Sequence, residues 1–418
     1  MIGPGQPDTR PGTSVTLKRY RAGTHRLTSP EATLDEVRRF FPVLGITRIA
    51  DITGLDTIGI PVVMVCRPNS RSIAVSLGKA LDLMAAKASG VMESVEAFMA
   101  ERIIRPLVLG SFNDLRFSHP LIDVGALPRT ATSLYHSDLP ILWIQGQELF
   151  SSAPMWVPYE TVHTAYTLPT PTGTGAFIAT SNGLASGNHY LEALSHAICE
   201  VAERDAATLH NLRTPAELAA RRLDPGTVGD ADCAAALDRL GRAGMSVQLW
   251  DMTTDVAIPA FTCSIAAAEG GPASTPYPAE GTGCHPDRDI ALLRALTEAA
   301  QSRLAYICGG RDELTAWSGD PIIDTQRLRE QAAGLAAEPG RDVTTVPTFE
   351  GDSFDADVAW ELRALRLAGI GQVVVVDLTR EEFGIPVVRV VIPGLEGPAA
   401  TVPDCRLGQR AMAVIGGR

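Results

Sequence analysis

Three helix-length stretches of this chain carry charge on one face and an apolar stripe on the other. In "SGNHYLEALSHAICEVAERD", an advance of about 100° per residue from Leu191 puts Leu194, Ile198, Val201 and Ala202 on one side. Asn188, Glu192, His196, Glu200 and Glu203 fall on the other. "GKALDLMAAKASGVMESVEAFMAERI" repeats the arrangement, with Ser89, Glu93 and Glu96 opposite Val91 and Val95. "RDIALLRALTEAAQSRLAYICGGRDE" sets Arg294, Glu298 and Gln301 at a related spacing. Any fold must bury the three stripes and still accommodate the charge.

Like charges three or four apart cost a helix a few tenths of a kcal/mol per pair, and no lysine offsets Glu192, Glu200 and Glu203. Two readings fit: a solvated helix face, or a face gathered around a divalent cation. Repetition on a second helix favours the cation. So do the small residues before Asn188, which allow close backbone approach, and Arg294 and Arg303, which suit phosphate oxygens. Carboxylates for metal and arginines for phosphate outline a nucleotide site. Neither a Walker A sequence nor a G-x-G-x-x-G before a helix supplies one by the common routes.

The chain's 418 residues allow a large core with two or three domains' worth of structure. A net charge of −12 argues against nucleic acid or an anionic membrane as partner. The seven cysteines are odd in number, widely spaced and free of C-x-x-C, which predicts reduced thiols in a cytoplasmic protein. The N-terminus has no apolar signal-peptide run, and apolar stretches such as "QVVVVDL" are strand-length, too short for a membrane span.

Along the chain, residues 1 to about 20, rich in Pro, Gly and Thr, predict a loose tail. "SPEATLDEVRRFFPVLGITRIADIT" predicts a helix and then a strand, with Leu34, Val37 and Phe41 on one helix face. "GIPVVMVCRP" predicts a buried strand, and "LPILWIQGQELF" and "APMWVPYETV" antiparallel strands. "TGTGAFIATSNGLASGN" reads as loop, strand, loop, and "AGMSVQLWDMTTDVAIPAFTCSIAAA" as two strands joined by a polar turn. "EGGPASTPYPAEGTGCHPD" reads as a mobile or active-site loop. "GIGQVVVVDLTREEFGIPVVRVVIPG" predicts two strong strands. Hairpin-like pairs mixed with long helices give an α+β, or mixed α/β, fold.

"KASGVMESVEAF", "SNGLASGNHYLEALSHAICEVAERD" and "GCHPDRDIALLRALTEAAQSRL" together resemble the three nucleotide-site motifs of the YcaO family. "GTHRLTSPEATL" and "SLGKAL" resemble its N-terminal segment and its Gly-Lys-Gly turn, which reads Gly78-Lys79-Ala80 here. The likeness covers roughly residues 21 to 397 as a catalytic domain, leaving 398–418 as a C-terminal tail. It implies a fold unlike Rossmann or P-loop domains, with ATP and Mg²⁺ held between helices packed on β-sheets. It implies Glu93, Glu96, Glu192, Glu200 and Glu203 as Mg²⁺-binding carboxylates. It implies Asn188, Arg204, Arg294 and Glu298 as nucleotide contacts, joined by Arg26, Thr33, Lys79 and Ser89. No catalytic residue is assigned.

Members of that family activate backbone amides of ribosomally made peptides. The amide oxygen is phosphorylated by ATP with, or after, nucleophilic attack on the amide carbon. A neighbouring Cys, Ser or Thr gives an azoline; an external sulfur donor gives a thioamide. The tail lacks the Pro-x-Pro-x-Pro of azoline formers, and no extra leader-binding domain is visible. "EEFGIPVVRVVIPGLEGP" resembles members that work with a TfuA protein in sulfide delivery. The resemblance therefore implies peptide thioamidation, a precursor peptide or protein substrate, a TfuA-like partner and a homodimer. The alternatives are an azoline-forming cyclodehydratase, a non-catalytic ATP-binding accessory protein in methylthiolation, and a metal-dependent hydrolase. His196 reads as catalytic, as a partner behind another site residue, or as solvated, and His285 as a loop histidine with or without a catalytic role. Arg303 and Arg311 read as phosphate contacts or structural ion-pair partners, and Cys199 and Cys284 as packing residues.

Overall fold

A computed structural model describes residues 15–267, 279–310, 340–399 and 405–416. All of its named strands pair antiparallel. A three-stranded sheet joins β1 (Arg48–Asp51), β2 (Val62–Cys66) and β3 (Val75–Lys79) in that order. The largest sheet runs β4 (Leu107–Gly110), β6 (Ile141–Glu148), β13 (Val374–Asp377), β14 (Val387–Val391), β8 (Leu184–Ser186), with β7 (Pro154–Pro158) also on β6. A third sheet runs β12 (Ala279–Cys284), β11 (Ala260–Ala267), β10 (Met245–Asp251), β9 (Arg222–Leu223). A fourth pairs β15 (Cys405–Arg406) with β5 (Arg129–Thr130).

The longer helices are α1 (Pro30–Arg38), α3 (Leu83–Glu101), α5 (Tyr190–Asn211), α7 (Ala231–Arg242), α8 (Arg288–Cys308) and α9 (Phe354–Leu367). Short helices α2 (Phe41–Leu44), α4 (Phe112–Leu115) and α6 (Pro215–Arg221) lie between them, and α10 (Gln409–Gly416) follows β15. Polar caps start the helices that matter most here. Asp82 accepts from Ala85 N at 2.9 Å ahead of α3, and Asp287 from Asp289 N at 2.9 Å ahead of α8. Gly309, at φ +60°, ends α8 in the left-handed conformation.

Close backbone approach seats two of these helices. A methyl group on Gly78 of β3 would land on Ala86 O and Gly90 N of α3. Methyl groups on Gly281 and Gly283 of β12 would land on the backbone of α8 at Ala291, Ala295 and Ala299. The stripes are buried as expected: Val91 and Val95 in a core shared by the three-stranded sheet and the largest sheet, and Leu194, Ile198, Val201 and Ala202 against β13, β14 and α9.

The fold is mixed helix and sheet, as the sequence indicates, with four differences. "EGTGC" is strand β12 rather than loop, because α8 covers it and only glycine fits beneath a helix backbone; residues 268–278 lie outside the described residues. "AFIAT" forms no strand, and the strand of that stretch is Leu184–Ser186. Gly78 and Lys79 belong to β3, four residues ahead of helix α3. Residues 15–20 and 405–416 pack on the body. Lys18 forms a fully buried ion pair with Asp357 of α9 at 2.7 Å, and Arg410 of α10 meets buried Asp205 of α5 at 2.9 Å.

Gly283→Ala is expected to lower stability by about 3 kcal/mol, the upper end of typical overpacking costs, because backbone rather than a movable side chain receives the methyl. Gly241→Ala, in α7 with open space at its Cβ, is expected to leave stability unchanged or raise it slightly. Thermal denaturation of the two variants checks both.

Candidate active site

The charged faces of α3, α5 and α8 converge on one cavity of about 1170 Å³. Every residue that the resemblance implies for metal or nucleotide lines it. Arg26 and Thr33 enter from the N-terminal segment and Lys79 from the end of β3. Ser89, Glu93 and Glu96 come from α3; Asn188 from the loop before α5; Glu192, Glu200, Glu203 and Arg204 from α5; Arg294 and Glu298 from α8. Glu192 is 2% exposed and Glu203 7%, so the arc on α5 is not a solvated face. The volume exceeds the roughly 300–1,000 Å³ of ordinary small-molecule pockets, leaving room for more than a nucleotide.

One corner is ordered around Glu192. Its carboxylate accepts from Arg26 Nη1 at 3.3 Å, Leu27 N at 2.9 Å and Asn188 Nδ2 at 3.3 Å. Asn188 Oδ1 in turn accepts from Thr33 Oγ1 at 2.9 Å. Glu192 therefore ties the N-terminal segment to the start of α5, a positioning role beyond the metal contact the resemblance implies. Glycine fits at 187, where a Cβ would stand 2.8 Å from Ala193 N.

The opposite wall is a charge lattice. Lys79 is ion-paired with Glu298, whose second oxygen accepts from Thr282 N at 3.3 Å. Thr282 Oγ1 donates to Glu203 at 2.8 Å, and Arg204 lies 3.5 Å from the same carboxylate. Burial works against ionised Glu298, but Lys79 and Arg204 outweigh it and hold its carboxyl below the usual range. Burial opposes charge on Arg204 as well, and Glu203, Glu298 and Glu200 more than offset it. Two carboxylates lack such compensation. Burial pushes Glu96 up to about 8, with Ser186 donating to it at 2.7 Å and Glu93 and Glu200 repelling it. Burial pushes Glu200 up to about 7, against the pull of Arg204.

His196 is the partner behind Arg294. Burial, followed by the Arg294 charge, holds the imidazole well below its ordinary pKa, so it is neutral and its Nδ1 accepts from Arg294 Nη2 at 2.9 Å. Arg294 Nη1 donates to Cys284 O at 3.0 Å, which fixes the guanidinium plane. His285 lies outside the cavity lining, edge-on to His25 at 5.3 Å. Cys199 is buried and burial raises its thiol well above the usual value, which matches a packing role. Arg303 pairs with Asp56 at 3.5 Å and is structural; Arg311 lies outside the described residues.

Sequence reasoning missed Thr282, which bridges Glu203 and Glu298 from within the glycine-rich strand. It also missed Arg389, 3% exposed on β14 and electrostatically coupled to Glu200. The available signal for Arg389 was a charged residue inside "VVRVV".

The donor set suits a magnesium nucleotide. As placed, no three of the described His, Cys, Asp or Glu side chains form a ready cation cage. Mg²⁺ usually takes one or two carboxylates and completes its shell with phosphate oxygens and water. Glu96 and Glu200, half-buried and pushed up by that burial, call for a cation to keep them ionised. Arg26, Arg204 and Arg294 reach the same space with groups matched to phosphate.

Among the described residues, no helix is long and apolar enough to cross a membrane, and all seven cysteines are free. The chain is 36% identical over 96% of its length and 96% of the other's to an uncharacterised protein in the tfuA 3′ region of Rhizobium leguminosarum bv. trifolii. It is 34% identical to an uncharacterised protein of Methanothermobacter thermautotrophicus, over 92% of this chain and 98% of that one. Its fold matches YcaO from Methanopyrus kandleri bound with AMPPCP and Mg²⁺, with a TM-score of 0.74, 22% identity and coverage of 94% and 98%. A heterocyclase in complex with substrate and cofactor also matches, with a TM-score of 0.74 and 22% identity over 92% of this chain; the match spans 54% of the heterocyclase. The model of the YcaO cyclodehydratases, an ATP- and Mg²⁺-binding family, matches residues 77–396, and the chain belongs to this family.

Proposed function

We propose that the protein activates a backbone amide of a ribosomally made peptide or protein by ATP- and Mg²⁺-dependent O-phosphorylation, and that an external sulfur donor then gives a thioamide. The observation that carries amide activation is the convergence of three charged helix faces on one cavity larger than a nucleotide needs. The thioamide branch rests on the relative from the tfuA 3′ region, matched over nearly its whole length. A TfuA-like sulfur-delivery partner, a homodimeric state and a cytoplasmic setting belong to the same proposal.

Bound ATP would supply the phosphoryl group that turns an amide oxygen into a leaving group, with Mg²⁺ neutralising the phosphates. Arg294, held by His196 and Cys284 O, and Arg204, held by Glu203, present cations to those phosphates without reorganisation. Arg26 and Asn188, fixed through Glu192, with Thr33 behind Asn188, bind the nucleotide at the other corner. Glu93, Glu96, Glu200 and Glu203 would hold the metal, and Glu192 would join them or stay with Arg26. Lys79 and Glu298 set the charge of the α8 wall, and Ser89 contacts the nucleotide from α3.

Azoline formation by a Cys, Ser or Thr of the substrate is the second reading, favoured by the fold match to a heterocyclase. A non-catalytic ATP-binding role in methylthiolation is the third.

Glu200→Gln and Glu203→Gln are expected to lower the modification rate by about 100-fold or more, as for other losses of preorganised charge. Mg²⁺-dependent nucleotide binding should fall with it while the circular dichroism spectrum stays intact. Modification that persists undiminished without nucleotide binding would leave only the accessory role. Reconstitution with candidate precursor peptides, ATP, Mg²⁺ and sulfide, with and without a TfuA-like protein, separates the products by intact mass. Exchange of oxygen for sulfur is expected; loss of one water per event would mean azoline formation.

A further inference from the structure

The cavity extends along α3 past Glu93 and Glu96 to an apolar end beside the helix C-terminus. Strand β3 and helix α3 lie against each other in opposite directions. Gly78 meets Ala86 and Gly90, while Ser70 and Ser72, ahead of the strand, meet Glu101 at the end of the helix. Lys79 therefore marks the nucleotide end of this wall and Ile73 the far end. Ile73 is 40% exposed and Tyr166 47%. Of the large apolar side chains exposed to that degree among the described residues, these two are the ones that line the cavity. Met92 and Ala97, both half-buried on α3, and Val75, at the start of β3, line it as well.

The backbones that carry Ile73 and Tyr166 are fixed. Buried Glu101 accepts from Ser70 Oγ at 2.6 Å, Ser72 N at 3.2 Å and Arg67 Nη2 at 2.9 Å, which holds the 67–74 turn on α3. Tyr166 N donates to Arg71 O at 2.8 Å, and Thr164 N to Ala100 O at 3.1 Å. Two bulky apolar side chains thus stand open to the cavity on a backbone whose order does not depend on them. Single apolar residues on an outer surface carry no message, but a pair inside a charged cavity gives an apolar group a place to be buried. Ala97 lies one helical turn beyond Glu93, about 6 Å along the axis. An extended peptide spans that distance in about two residues.

We propose that this end of the cavity is a side-chain subsite for the substrate peptide, in which Ile73 and Tyr166 cover a bulky apolar residue within about two positions of the activated amide. The protein then selects segments with a leucine- or phenylalanine-sized side chain near the modified bond. The inference rests on the amide-activation reading, and its test measures the two apart. The probes are acetyl-Gly-Leu-Gly-methylamide and acetyl-Gly-Asn-Gly-methylamide, whose central side chains match in shape and differ in polarity. Every amide of these probes lies within two positions of that side chain. They are titrated to tens of millimolar against the full chain loaded with Mg²⁺ and a non-hydrolysable ATP analogue. The leucine probe is expected to bind at least about tenfold tighter than the asparagine probe. Ile73→Ala and Tyr166→Ala should each reduce that preference at least about threefold, with nucleotide affinity unchanged. Ile73→Leu should keep it. Both side chains are half-exposed, so the variants should fold as the parent does. The subsite is overturned if neither probe binds saturably, if the two bind equally, or if both alanine variants keep the parent's preference. A fall in nucleotide affinity in the variants would also overturn it, by placing the base of the nucleotide on Tyr166. So would a changed oligomeric state, by placing a second copy of the chain there. Failure of nucleotide binding in the parent would instead sink the amide-activation reading.

Discussion

Helix backbone pressed directly onto strand backbone is the constraint on which the rest of this molecule depends. At Gly78 against α3 and at Gly281 and Gly283 against α8, no side-chain layer separates the two elements. Such contacts fix a helix in height and rotation far more tightly than leucine-sized spacers do. Rotation decides where a charged arc points. Gly283 lies directly beneath Arg294, where a Cβ would stand 2.7 Å from the arginine's own Cβ. The small residues thus aim the large charged ones.

Once aimed, the faces create an electrostatic problem that the protein solves only in part. Lys79, Arg204 and Arg26 are committed to Glu298, Glu203 and Glu192. Those pairs leave Glu96 and Glu200 half-buried, close to each other and raised in pKa. A fold selected for stability alone would not keep two such groups together. The deficit is localised between α3 and α5, while the surplus of unmet donors sits on β14 and the 163–166 segment.

Much of this was legible in the sequence. The three helices, their apolar stripes and the acidic arc of α5 follow from 3.6-residue periodicity, which needs no knowledge of partners. The set of cavity-lining residues followed from motif likeness rather than from periodicity. What escaped has physical reasons. Strand β12 reads as loop because glycine and threonine, poor strand formers alone, are what a covering helix demands. Lys18 sits in a Pro- and Gly-rich neighbourhood, and only its partner 339 positions away shows it to be anchored. His196 shares an arc with the glutamates, yet its environment is set by Arg294 from another helix, so its neutrality was invisible from α5 alone. Glu192 looked like its neighbours on α5, but Arg26 and the Leu27 amide reach it from the other end of the chain.

The ion pair between Arg410 and Asp205 has a mechanical meaning. Asp205 lies two residues beyond Glu203 on α5, and α10 is further held where Gly408 N and Ala411 N donate to Glu396. On the other flank, α9 packs along α5 and is itself bolted to Lys18. One continuous rod therefore carries the acidic arc and is gripped by both ends of the folded chain. The helix that carries Glu200 and Glu203 is thus clamped near its C-terminal end, through Asp205, by a segment 205 residues further along the chain.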